Sequence, residues 1–180
     1  MKSVEPNTKL SKIMVWLTWL GLLAMLVIGF DRYLDLQANP NERPDVIYDL
    51  DGVAEVTLQQ NKQGHYVANG KLNGHWVMFV LDTGATNISI PAKVAKQMRL
   101  PEGYPQRTRT ANGDIVVYRV TLESVSLGSI ELKNVAAHIN PHMDGEVVLL
   151  GMSFLKQVEM IQVGKQLTLR LKSQGDILGL

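Results

Sequence analysis

The sequence predicts an all-β domain of closed, barrel-like form with one or two short helices, preceded by one transmembrane helix. Three observations carry that expectation. One stretch near the N-terminus is uncharged, apolar and long enough to cross a bilayer. From residue 53 onward the chain breaks into short apolar segments of strand length, separated by turn pairs such as Asn-Gly. Within that region only two short places carry a helix signal.

The N-terminal stretch is Ile13 to Phe30, 18 residues interrupted only by Thr18, Gly21 and Gly29. As a helix it would span roughly 27 Å, close to the hydrocarbon thickness of a membrane. Trp16 and Trp19 lie toward one end, as interfacial aromatics do. Lys2, Lys9 and Lys12 precede the run, and Asp31, Arg32 and Asp35 follow it. The positive-inside rule then puts residues 1–12 in the cytoplasm and everything after Phe30 across the membrane. A cleaved signal peptide is the alternative, although signal cores run about 7–15 residues. A buried core helix is a second one. Residues 31–52, polar and holding Pro40 and Pro44, read as a linker.

The domain is expected over residues 53–172, with 173–180 as a tail apolar enough to serve as an interface strand. Val53 to Leu58 and His65 to Leu72 are strands around the turn Asn61–Gly64. Asn73-Gly74 is a hairpin signal, because both positions tolerate positive φ. Trp76 to Leu81 is almost continuously apolar and predicts a strand buried on both faces, with Trp76 and Phe79 in the core. Thr86 to Ile90 is a further strand. Pro91 starts a helix running to about Arg99, with Val94, Ala95 and Met98 inward and Lys93, Lys96 and Gln97 in water. Arg107 to Ala111 and Ile115 to Leu122 flank Asn112-Gly113, a second hairpin signal. Gly128-Ser129 is a third turn, and Val135 to Ile139 is a short strand. Pro141 to Gly145 is a loop, and Val147 to Leu150 is an apolar strand ending at Gly151. Met152 to Val158 holds one or two helical turns, and Gln166 to Leu171 is the last strand.

Composition narrows the chemistry. The chain has 180 residues, 46% of them hydrophobic, enough for one core plus an anchor but not for a two-lobed enzyme. A net charge of +1 gives no reason to expect nucleic acid as a partner. The absence of cysteine excludes a disulfide framework, a thiol nucleophile and thiolate metal sites. His138 and His142 stand four apart, but Pro141 between them argues against the helix that would align them as metal ligands. No metal and no cofactor is expected. Lys93, Lys96, Arg99, Arg107 and Arg109 read as a solvated basic face.

The informative stretch is Phe79-Val-Leu-Asp82-Thr83-Gly84-Ala85-Thr86. A carboxylate at the end of an apolar strand must be hydrogen-bonded or neutralised. Gly84 leaves room for peptide N–H groups to reach it, and the Thr83 hydroxyl can donate and accept locally. In this apolar context Asp82-Thr83-Gly84-Ala85 resembles the catalytic loop of retropepsin-like aspartic proteases. Leu149-Leu150-Gly151 resembles the hydrophobic–hydrophobic–Gly element of that family, whose strand crosses behind the loop. The Asn112-Gly113 hairpin falls where the family carries its substrate-covering flap. The likeness covers roughly residues 53–172 and is nearest to bacterial membrane-anchored members.

The resemblance implies a single-lobed acid-protease barrel and an aspartic endopeptidase. Asp82, Thr83 and Gly84 would be catalytic. Ala85, Thr86, Asn112, Gly113 and Asp114 would meet substrate, and Leu149, Leu150 and Gly151 would support the loop from behind. The mechanism needs two carboxylates sharing a proton across a water, and the chain holds one Asp-Thr-Gly. Asp51, Asp114, Asp144 and Asp176 lack that context. The resemblance therefore implies a homodimer with Asp82 from each chain and a polypeptide substrate. It places the domain in the bacterial periplasm, on a single-pass inner-membrane anchor. One departure is Thr86, where retroviral members often carry an acidic residue. A second reading remains open: a non-catalytic dimer that captures peptide at the membrane.

Overall fold

The computed structural model describes residues 8–44, 47–48, 52–110 and 113–172. Asn112 and the tail 173–180 lie outside them. The chain divides into two units, Met1–Gln37 and Ala38–Leu180.

The first unit is helix α1, Thr8–Ala38. It is long and apolar enough to cross a membrane over Lys12–Ala38. Its large apolar side chains are exposed, which is compatible with a single-pass anchor. The Thr18 hydroxyl donates back to the Met14 carbonyl at 2.9 Å, which satisfies the polar atom inside the apolar run. The helix continues eight residues past Phe30, where the sequence reading has a linker. Asp31 to Ala38 contains neither Gly nor Pro, so nothing stops propagation until the residues before Pro40.

The second unit is built from strands β1 (Ile47–Tyr48), β2 (Ala54–Gln59), β3 (Val67–Leu72), β4 (His75–Leu81) and β5 (Ile88–Pro91). Helix α2 (Ala92–Gln97) follows. Then come β6 (Pro105–Thr110), β7 (Gly113–Leu127), β8 (Ile130–Asn140) and β9 (Val147–Leu150), helix α3 (Met152–Leu155), and β10 (Val158–Val163) and β11 (Gln166–Leu171). Among the described residues they form a four-stranded sheet, β1-β2-β11-β10, and a seven-stranded one, β3-β4-β9-β5-β8-β7-β6. In the larger sheet β3 also pairs with β7 through Lys71 with Ser126 and Leu72 with Val125. The result is a barrel-like ring of strands with the β6–β7 ribbon projecting from it, in place of the fully closed barrel expected.

Turn chemistry sets the hairpins. Asn73 and Gly74 have φ of 46° and 81° and join β3 to β4. Gly128 and Gly164 open the two-residue turns before β8 and β11. Pro91 caps α2 rather than entering it, and Arg99 with φ of 53° ends the helix. Phe79, Ile88, Ile90, Leu122, Leu150 and Phe154 are fully buried and fill the centre.

Two expectations are corrected. Strand β4 is buried on one face only. Phe79 is in the core, but Trp76 is 68% exposed and Met78 37% exposed. An unbroken apolar run hides the period-two alternation that separates the faces. Residues 39–44 also do not stand clear of the domain. Asn39 and Asn41 are buried. The Asn41 side-chain amide donates to the carbonyls of Gln59 (2.9 Å) and Val67 (2.6 Å), and its oxygen accepts the Gln59 N–H at 2.7 Å. Asn41 thus stitches β2 of one sheet to the residues that open β3 of the other.

Candidate active site

Asp82 lies immediately after β4, at the start of the loop that leads to β5. Its N–H donates to the Leu150 carbonyl at 3.1 Å, continuing the parallel pairing of Val80 with Leu149 and Leu81 with Leu150. Its carboxylate accepts the Gly84 N–H at 2.8 Å, and its carbonyl accepts the Ala85 N–H at 3.3 Å. Asp82 and Ala85 are half-buried, while Thr83, Gly84 and Thr86 are exposed. A Cβ on Gly84 would stand 3.1 Å from the Asp82 Oδ1, tighter than an ordinary contact. Glycine therefore lets the backbone amide and the carboxylate meet.

Strand β9 backs this loop. It pairs in parallel with β4 and antiparallel with β5 through Leu149 and Ser89, so it passes between the two strands that the loop connects. Gly151 is the tightest point. A Cβ there would run into the Asn87 carbonyl oxygen and lie 2.6 Å from that of Ala85. Beyond it the chain turns into α3, and the N–H groups of Met152 and Ser153 bond the carbonyls of Ala85 (2.8 Å) and Thr86 (2.9 Å). The buried Ser153 hydroxyl accepts the Ile88 N–H at 3.1 Å. These contacts fix the backbone of residues 85–88 from beneath and leave its upper surface and the Asp82 carboxylate facing outward.

Leu150 and Gly151 therefore meet the Asp82 loop, Leu149 pairs with Val80 and Ser89 in the strands on either side of it, and Ser153 belongs to the same support. Sequence reasoning missed Ser153. A serine just after the Gly in a predicted helical turn is the faint signal that could have found it. Gly113 and Asp114 begin β7 at the far end of the β6–β7 ribbon, where Asp114 pairs loosely with Arg109 at 3.4 Å, both exposed. Thr110 pairs with Gly113 there. Among the described residues the ribbon is joined to the strands that flank the Asp82 loop through the sheet, by β8 to β5 on one side and by β3 to β4 on the other.

Two titratable groups near this framework are perturbed. Burial pushes the His138 imidazole below its ordinary value. His138 lies beside Ser89 on β5 and Arg119 on β7. The Lys93 ammonium, 2.7 Å from Glu146, holds that exposed carboxyl low, with help from Gln97.

Comparison with known proteins gives a consistent result. Residues 68–157 match a family model described as "gag-polyprotein putative aspartyl protease", a span that takes in both Asp82 and Leu149 to Gly151. An uncharacterized protein encoded 5′ of cobV in a Sinorhizobium species is 30% identical over 156 residues, 81% of this chain and 67% of that one. An uncharacterized protein of Rickettsia prowazekii (strain Madrid E) is 30% identical over 119 residues, 64% of this chain and half of that one. The crystal structure of a retropepsin-like aspartic protease from Rickettsia conorii superposes with a TM-score of 0.58 at 30% identity, covering 66% of this chain and 92% of its own.

Proposed function

The chain belongs to the retropepsin-like aspartic proteases, and from that membership we propose that it is a membrane-anchored endopeptidase working through two Asp82 carboxylates in a homodimer. The observation that carries this reading is the carboxylate itself. Asp82 is held by the Gly84 N–H at 2.8 Å on a loop braced from below, and its outer side is open. A group so fixed is suited to chemistry on something placed above it.

One carboxylate cannot do that chemistry alone. Peptide hydrolysis by this route needs a base to take a proton from water and an acid to protonate the scissile carbonyl oxygen. Two carboxyl groups about 3 Å apart cannot both ionise, so the pair keeps one proton and supplies both functions. A two-fold axis beside Asp82 would bring the second copy. Thr83 on the exposed side of the loop would brace the two loops across that axis. Ala85 and Thr86 would border the substrate backbone. The β6–β7 ribbon, with Gly113 and Asp114 at its far end, would close over the substrate and exclude water, and Asn112 beside them in sequence would meet the substrate too.

Helix α1 fits a single-pass anchor. With the lysines before the apolar run on the inside, the N-terminus would lie in the cytoplasm and the β domain on the far side, in a bacterium the periplasm. The full-length protein in detergent should cleave members of a peptide library between about pH 4 and 7, where a shared-proton pair works. Asp82→Asn should lose that cleavage by about 10²–10⁴-fold. Equal activity in the variant would remove Asp82 from the mechanism. A folded wild-type dimer that binds library peptides and cuts none would point instead to a peptide-capture module.

A further inference from the structure

The outer face of β4 carries an apolar track that the catalytic loop does not use. Side chains alternate along a strand, so Trp76, Met78, Val80 and Asp82 share one face, opposite the buried Phe79. Val147 and Leu149 of β9 stand in register with Met78 and Val80 and extend the track sideways. At its far end lies a groove of about 420 Å³. Trp76, Met78 and Val147 line it from the sheet, Val94 from α2 and Met98 from the residue that ends that helix. Glu146 closes the rim, tied to α2 by Lys93 at 2.7 Å and by Gln97 at 3.4 Å. Trp76 is held from the other side by the Lys71 ammonium, 4.7 Å from the ring centre.

The Trp76 indole is 68% exposed, yet it is held by a cation–π contact and set beside a groove. Large aromatics in such settings anchor binding partners. The track points to the occupant, because it runs along one strand face directly to the catalytic carboxylate. We propose that this groove is a distal subsite for the polypeptide substrate, taking one large apolar side chain of an extended chain. Trp76 is six positions before Asp82, about 20 Å along the strand. An extended substrate rises by nearly the same step per residue, so the anchored side chain lies about six residues from the scissile bond. The inference rests on the endopeptidase reading and adds to it a requirement for substrate length and for an apolar residue far from the cut.

The test uses the full-length protein in detergent. A peptide that it cleaves is extended by six residues on each flank in turn, ending in either Leu or Ser. The Leu-ended extension on one flank should raise kcat/KM about tenfold over its Ser counterpart, through KM and not kcat. In Trp76→Ala and in Met78→Ser that ratio should fall to about one, and Trp76→Phe should restore most of it. A wild-type ratio near one on both flanks overturns the subsite. So does a ratio that survives both substitutions. A change of oligomeric state in Trp76→Ala with the ratio kept would make this face a contact between copies and also overturns it. Binding of the same labelled peptides to Asp82→Asn separates the two readings. Leu-selective binding that depends on Trp76, with no cleavage by wild type, keeps the subsite and sinks the endopeptidase. Neither cleavage nor Leu-selective binding sinks both.

Discussion

At the scale of single residues, two glycines carry different parts of the site. Gly151 is a packing requirement, because a methyl group there meets the carbonyl oxygens of Asn87 and Ala85. Gly151→Ala should cost about 3 kcal/mol or more, read as a large drop in melting temperature, because β9 must back away from the loop. Gly84 is a geometric requirement of the carboxylate. Gly84→Ala should leave the melting temperature nearly unchanged and reduce cleavage about 10²-fold, since a 1 Å misplacement is enough for that. Equal loss of stability in both variants would contradict this division. His138 supplies a pH dependence. Burial lowers its folded value, so the unfolded chain takes up a proton first as pH falls. Stability is therefore greatest above the ordinary imidazole value and declines as pH drops through it toward the lower folded value. Melting temperatures at about pH 7.5 and pH 5 should differ less in His138→Gln than in wild type. An unchanged slope would assign the dependence elsewhere.

At the scale of elements, the asparagines of residues 39–41 act as a clamp. Asn41 satisfies the N–H and carbonyl of Gln59 and the carbonyl of Val67, and its own N–H donates to Asn39 Oδ1 at 3.0 Å. Asn39 in turn donates to Asn69 Oδ1 at 2.9 Å. Replacing Asn41 by Ala strands three backbone groups and should destabilise the β domain by about 2–3 kcal/mol, measured as a shifted unfolding midpoint. A shift below about 0.5 kcal/mol would show that water replaces the clamp. Strand β9 is the other decisive element. Four apolar residues, Val147 to Leu150, hold β4 and β5 together and thereby close the ring behind Asp82.

At the scale of the whole molecule, the catalytic reading requires a second copy. An anchored chain meets its partner in two dimensions, at a higher effective concentration than a free one. If the endopeptidase reading holds, a variant beginning at residue 38 should need about 10²-fold more protein to reach the specific activity of the full-length protein in membranes. Specific activity independent of concentration in both forms would argue against assembly as the limiting step. The chain spans about two thirds of its Sinorhizobium relative and half of its Rickettsia prowazekii relative.

Strands β1 and β10 were not marked in the sequence, whereas most of the other strands, the hairpins at Asn73-Gly74 and Gly128-Ser129, the short helix after Pro91 and the loop Asp82 to Thr86 were legible there. Local chemistry decides each of them: positive φ at turns, fixed φ at proline, and a carboxylate placed against glycine. So was Leu149 to Gly151 as a unit, although its contact with a loop some 70 positions earlier shows only in the parallel register of β9 with β4. The sequence could not reveal that β4 has one dry face and one open one, because a run of apolar residues reads alike whether one face is covered or two. It could not reveal that Asn39 and Asn41 are buried, because an asparagine in a clamp and one in a linker have the same composition. Both depend on which distant backbone groups arrive beside them, and only the packing of one sheet against the other decides that.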